Sequence, residues 1–162
     1  MNLKFRLARS TEVNQVTQLL KEAAAWMKSE GINQWSYLLS GGEDDEIERA
    51  ILKEETYVAE KEGELLGTFT ISPVQSEWDF DLWGQVEGES LYLHRLATQM
   101  EYRGQGIGNE MLRWIEREFT GQYTYLRLDC VANNRKLNQF YLDNEFLFVG
   151  SIDEFNKYEK RL

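Results

Sequence analysis

An α/β domain built on a mixed, strongly twisted central sheet is the fold class this sequence predicts, and three observations predict it. Short apolar runs that alternate in twos are interleaved with segments whose apolar residues recur at helical spacing. A glycine-rich loop, Arg103-Gly104-Gln105-Gly106-Ile107-Gly108, sits between one such strand and one such helix. The chain has 162 residues, one proline and 42% apolar residues. That is enough for a single domain spanning residues 1–162 and burying roughly 70% of its unfolded surface.

Taken in order, Leu3, Phe5 and Leu7 alternate with polar residues as an opening strand. Val13, Val16, Leu19, Leu20, Ala23 and Ala24 then mark one helix face up to about Met27, with Ser10 or Thr11 as the expected N-cap. Residues 31–37 read as a loop, and a short helix is expected from Asp44 to Lys53 after the glycines at 41 and 42. Tyr57–Glu60 and Leu65–Ile71 form a hairpin around Glu62-Gly63-Glu64. Residues 73–89 read as a long connection ordered by Trp78, Phe80 and Trp83. A strand near 91–97, the glycine loop, a helix through Met111, Leu112, Ile115 and Phe119, a strand from Tyr123 to Val131 and a helix from Asn134 to Asp143 follow. A final strand pair lies near Phe146–Ile152 and Phe155–Lys160, giving the order β-α-α-β-β-β-α-β-α-β-β.

Composition narrows the function classes. The net charge is −10, which disfavours a nucleic-acid backbone as partner and favours cationic ligands. Between Glu62 and His94 there is no lysine or arginine, while Glu62, Glu64, Glu77, Asp79, Asp81, Glu87 and Glu89 supply carboxylates. That stretch would either concentrate cations or serve as a solvated acidic face. The lone Cys130 cannot form an internal disulfide, the N-terminus lacks a signal-like apolar run, and no segment is long enough to span a bilayer, so a cytoplasmic location is expected. A single histidine cannot build a zinc site with the usual partners, so no metal is expected.

The glycine loop is a phosphate cradle by its chemistry. Glycines let backbone N–H groups face a ligand without a Cβ in the way, and the following helix adds the positive end of its dipole. Arg103 can add side-chain charge. Two nucleotide-binding readings fit poorly. A Walker loop would end in Gly-Lys-Ser/Thr, whereas Gly108 is followed by Asn109-Glu110. A dinucleotide fingerprint needs Gly-x-Gly-x-x-Gly, and Gly104, Gly106 and Gly108 are out of that register, although Asp129 stands about twenty residues on at a strand end.

The spacing Arg-x-x-Gly-x-Gly at 103–108, behind a strand ending Leu96-Ala97-Thr98, resembles the acetyl-CoA signature of the GNAT superfamily of N-acetyltransferases. Downstream, Asn134 and Tyr141 stand seven apart in a segment similar to the family's Asn-x-x-Ala-x-x-Phe/Leu-Tyr-x-x-x-Gly-Phe. Leu137 replaces the usual small residue there, and Glu145 stands where glycine is commoner. The resemblance covers nearly the whole chain. It implies a GNAT-like sheet whose strands near 91–97 and 123–130 splay into a V that admits the pantetheine arm. It further implies acetyl-CoA as co-substrate, held by Arg103, Gly104, Gln105, Gly106, Ile107 and Gly108, with the main chain of Leu96, Ala97 and Thr98 beside the pantetheine. Asn134 would both cap its helix and reach the cofactor arm. A homodimer is the family default.

Acyl transfer to an amine also needs a proton donor and a proton acceptor. Tyr141 is the expected general acid, because a phenol with pKa near 10 can protonate a thiolate near 8.5 at a cost of about 2 kcal/mol. Otherwise it is an aromatic core residue beside Phe140. An alkylamine is protonated at neutral pH, so a base must act first. His94 is one candidate, placed by alternation on the same face as Tyr92 and Leu96; Glu89 and Glu87, acting through water, are others. Trp78, Asp79, Asp81 and Trp83, with Trp35 and Tyr37 from the first interhelical loop, are the expected acceptor-binding residues, offering carboxylates and aromatic faces to an ammonium group. Cys130, within an apolar strand, is expected to be inert.

These residues point to an N-acetyltransferase acting by direct attack of a primary amine on acetyl-CoA, the acceptor being a small cation such as a polyamine, aminoglycoside or amino-acid-like amine. Acetylation of a protein N-terminus or lysine is the alternative within that class. A non-catalytic acyl-CoA sensor is the alternative outside it.

Overall fold

The computed structural model describes residues 2–33, 35–86 and 88–162. Its strands are β1 (Lys4–Leu7), β2 (Thr56–Lys61), β3 (Glu64–Ser72), β4 (Ser90–Thr98), β5 (Tyr125–Val131), β6 (Leu147–Ile152) and β7 (Phe155–Arg161). Its helices are α1 (Val13–Ser29), α2 (Ser36–Leu39), α3 (Asp44–Leu52), α4 (Glu77–Trp83), α5 (Ile107–Phe119) and α6 (Arg135–Asp143). The strands follow the order β1-β2-β3-β4-β5-β7-β6 in one mixed sheet, as the α/β reading requires. By its contacts the chain divides into two compact units, Met1–Ile71 with Arg95–Trp114, and Ser72–His94 with Ile115–Leu162.

In the first unit β1, β2 and β3 form an antiparallel meander. The β2–β3 turn is two residues long, and Glu62 and Gly63 both adopt positive φ (52° and 84°), the backbone that matches the twist of flanking strands. The apolar face of α1, Val16, Leu19, Leu20, Ala23 and Ala24, packs with Leu38, Ile47, Ile51, Val58 and Ala97 in one core cluster. Phe5, Tyr57, Phe69 and Trp114 make a second, aromatic cluster. Neither Ser10 nor Thr11 caps α1. They lie in a 3-10 turn, and the Glu12 carboxylate takes the Arg9 N–H at 2.8 Å together with two guanidinium bonds from Arg6. The Arg6 hydrogen bonds hold the Glu12 carboxyl below its usual range.

In the second unit β4 and β5 pair in parallel over Ser90–Tyr92 and Tyr125–Arg127, while β5 pairs antiparallel with β7 along its whole length. The stretch expected as a bare connection holds α4. Ser76 accepts the Asp79 N–H and the Asp79 carboxylate takes the Ser76 N–H in return, a capping box, and Gly84 at φ 67° ends the helix. At the other end of this unit α6 closes in a Schellman-like turn, with Phe146 N–H donating to the Tyr141 carbonyl and Glu145 at φ 66°. Glu145 thus holds the left-handed conformation for which glycine is suited. Glu145→Gly is expected to raise stability by about 1 kcal/mol, read as a higher denaturation midpoint in urea with unchanged slope.

Among the described residues no helix is long and apolar enough to cross a membrane.

Candidate active site

The glycine loop of the first unit has the backbone a cradle needs. Gly104 and Gly106 sit at φ 80° and 83°, and a Cβ built on either would meet nothing within 4 Å. The loop therefore presents bare main chain to open space. It leads directly into α5, whose first N–H groups have no partner within the helix. The Arg103 guanidinium lies over the Trp26 ring of α1, 4.4 Å from its centroid. This arrangement fits a diphosphate. Gly106→Val would put a β-branched residue at positive φ, costing about 1–2 kcal/mol of backbone strain and blocking the bare surface. An acetyl-CoA affinity at least about tenfold weaker is expected by calorimetric titration.

Leu96, Ala97 and Thr98 form the end of β4, where the neighbouring Gln99 N–H donates to the Leu66 carbonyl at 2.8 Å. Just before them Arg95 adopts φ 51°, a left-handed residue inside a strand. Its guanidinium is held by Glu43 at 3.2 Å and Glu46 at 3.7 Å from the start of α3. This kink interrupts the two-residue alternation, so the inference that His94 shares a face with Leu96 does not carry across it. Alternation cannot see a bulge.

The second unit gathers the ionisable chemistry. The Asp79 side chain is 1% exposed and accepts from the Ser76 N–H and hydroxyl, and its Oδ2 lies 3.2 Å from His94 Nε2. Trp78, one residue earlier on α4, directs its indole N–H at both oxygens of Asp129, at 3.1 and 3.2 Å, while its ring meets Phe155 edge-on. Asp129 is half-buried on β5, and burial pushes its carboxyl up to about 6, with the Asp79 charge adding to that and His94 and the Trp78 hydrogen bond opposing it. Four residues from three elements thus form one electrostatic cluster.

Tyr141, 5% exposed on α6, packs its ring edge-on against Phe140 and Phe146 and at a tilt against Tyr158. Burial first, then Cys130 and Asp129, raises its phenol well above the ordinary value. It therefore stays protonated at neutral pH, while the same burial makes it a weaker acid toward a thiolate than an ordinary phenol. Asn134 caps α6, its Oδ1 accepting the Leu137 N–H at 3.2 Å. Cys130 is buried, with its thiol pushed up to about 12 by burial, which agrees with an inert role.

Other expected site residues fall elsewhere. Glu89 is exposed ahead of β4 with its carbonyl taking the Thr124 N–H, and it lies five residue steps from His94, about 16 Å of strand. Glu87 lies outside the described residues. Asp81 is exposed on α4, two positions from buried Asp79 and so on another face of the helix. Trp83 already carries two internal cations over its ring, Arg127 and Lys157, each at 5.1 Å. In the first unit Trp35 packs against the α1 core at φ 62°, and Tyr37 is 67% exposed with its ring against Gly42. Among the described residues no group of three or more His, Cys, Asp or Glu side chains could hold a metal ion. Sequence reasoning missed Asp129 as a member of the cluster. Its partner on α4 is 51 residues away, and the one local signal was a carboxylate set in the apolar run Leu128-Asp129-Cys130-Val131.

Comparison with known proteins bears on this geometry. A model of the acetyltransferase (GNAT) family matches residues 34–146. The uncharacterized N-acetyltransferase YesJ of Bacillus subtilis (strain 168) is 38% identical over 157 residues, covering 93% of this chain and 86% of that protein. A GNAT family acetyltransferase from Listeria monocytogenes 4b F2365 has a crystal structure similar at TM-score 0.86 and 32% identity, over 99% of this chain and 95% of the other. The PaiA N-acetyltransferase from Thermoplasma acidophilum, solved in complex with coenzyme A, shares the fold at TM-score 0.80 and 17% identity, with both chains fully covered. The glycine cradle, the mixed sheet and a family match over well over half of its length agree, and the chain belongs to the GNAT family of acetyltransferases.

Proposed function

We propose that this acetyltransferase moves the acetyl group of acetyl-CoA directly to a primary amine on a small cationic acceptor. The observation that carries the acceptor class is the Trp78–Asp129 pair, a half-buried carboxylate braced by an indole and flanked by Phe155. A desolvated carboxylate beside aromatic faces attracts an ammonium group by charge and by cation–π contact. The net charge of −10 favours the same ligand.

In this reading the main chain of Gly104–Gly108 and the Arg103 guanidinium hold the diphosphate, and the main chain of Leu96 and Thr98 orients the pantetheine. Asn134 caps α6 and contacts the cofactor arm. The amine nitrogen, once neutral, attacks the thioester carbonyl carbon, and the C–S bond breaks. Tyr141 gives its phenolic proton to the departing thiolate and recovers one from the acylated nitrogen, leaving a neutral amide and free CoA. The acid–base balance requires one further group to take the first proton from the ammonium.

The test is thiol release from acetyl-CoA across spermidine, an aminoglycoside, free amino acids and basic peptides, with products confirmed by mass. Turnover on the small cations supports the proposal. Turnover on peptides alone would replace it with protein acetylation, and tight cofactor binding without turnover on any amine would replace it with a sensor.

A further inference from the structure

We infer that Asp129 is the proton acceptor for the amine and that Trp78 is the residue positioning it. This rests on the acetyltransferase reading and names the base that reading requires. Three ionisable groups meet in the second unit, and their surroundings assign them different work. Asp79 is sealed from solvent, and its Oδ2 closes the α4 capping box and lies 3.2 Å from His94 Nε2. His94 has its Nε2 turned to Asp79. Among the described residues, both Asp129 oxygens share one donor, the Trp78 indole N–H, so lone pairs remain for an incoming ammonium.

Other charged groups on the packed elements do not displace it from this role. Lys157 of β7 is the cross-strand partner of Asp129 but sends its ammonium to the Leu82 carbonyl at 3.0 Å. Cys130 beside it keeps its proton. Tyr141 of α6 lies close enough for the Asp129 charge to raise its phenol, so proton acceptor and proton donor share one electrostatic environment. Asp81 of α4 is exposed. A carboxylate lifted to about 6 by burial is still ionised at neutral pH and binds a proton more readily than an ordinary aspartate. The ammonium N–H breaks, its proton joins an Asp129 oxygen, the electron pair stays on nitrogen for attack, and the acid returns its proton to water after amide release.

The experiment measures kcat/KM against pH for wild type, Asp129→Asn, His94→Gln and Trp78→Phe, with acetyl-CoA and whichever of spermidine, an aminoglycoside or lysine methyl ester reacts fastest. In parallel, the Asp129 carboxyl carbon of 13C-labelled full-length protein is titrated by NMR. Asp129→Asn should lose at least about 100-fold in rate together with the acidic limb, with acetyl-CoA affinity retained. His94→Gln should keep the limb. Trp78→Phe should move it upward by up to about one unit, because the indole hydrogen bond favours the charged carboxylate. A limb that survives in Asp129→Asn, or one that vanishes in His94→Gln, overturns the assignment while leaving the acetyltransferase reading intact. So does an Asp129 titration near 4, which needs no variant to fold. Wild-type silence on all three amines overturns the small-cation reading and this inference with it.

Discussion

Tyr141→Phe is expected to lower kcat by about 10²–10⁴-fold while leaving the affinity for acetyl-CoA within about threefold. The substitution removes one oxygen and keeps the ring. Because that ring is fixed by edge-on contacts to Phe140 and Phe146, 5.2 and 5.6 Å between centroids, the packing of α6 should survive. A loss confined to kcat is the mark of an interaction made only as the thiolate departs. The wild-type profile should show no alkaline fall assignable to Tyr141 below about pH 10, since burial holds the phenol protonated throughout that range. A variant that kept full kcat and changed only in thermal stability would reduce Tyr141 to a core aromatic. Single-turnover measurements with saturating acetyl-CoA distinguish the two outcomes.

The second large effect is on stability, and its sign is opposite to that of most core substitutions. Burial raises the Asp129 carboxyl from the ordinary 3.8 to about 6, so the folded protein holds a proton that the unfolded chain has already released. Below about pH 4 both states are protonated and the group contributes nothing. As pH rises from about 4 to about 6 the unfolded state alone is ionised and stability falls, and above about 6 the penalty is constant, reaching at most about 3 kcal/mol. Asp129→Asn keeps an oxygen for the Trp78 indole and never ionises. Urea denaturation should therefore show the variant more stable than wild type at pH 8 and equal to it near pH 3. Equal midpoints at both pH values would mean that Asp129 is solvated. A charge retained at that cost fits a group kept for chemistry.

The regular elements were legible in the sequence wherever their stabilising partners are close along the chain. The α1 stripe, the Glu62-Gly63 hairpin and the glycine cradle all follow from spacing or from local conformational need. Where a partner is distant, legibility ended. Helix α4 was hidden because its carboxylates obscure the apolar period, though Ser76-x-x-Asp79 was a readable cap. The kink at Arg95 has no glycine to announce it and is held by Glu43, 52 residues earlier. The site divides in the same way. The candidate cradle was visible as glycines, and Asn134 and Tyr141 as a spaced pair, whereas Asp129 is raised by burial and braced by a tryptophan on another element.

The contact between Arg103 and Trp26 has a consequence for how tightly a diphosphate could be held. Immobilising a long, rotamer-rich side chain on binding costs about 0.5–1.5 kcal/mol. Where the guanidinium already rests on the indole at 4.4 Å, part of that ordering is accomplished when the protein folds. On the proposed reading, in which Arg103 holds the diphosphate, affinity for the cofactor would be set partly by a ring on α1 that need never touch a phosphate, and removing the indole would weaken binding through entropy.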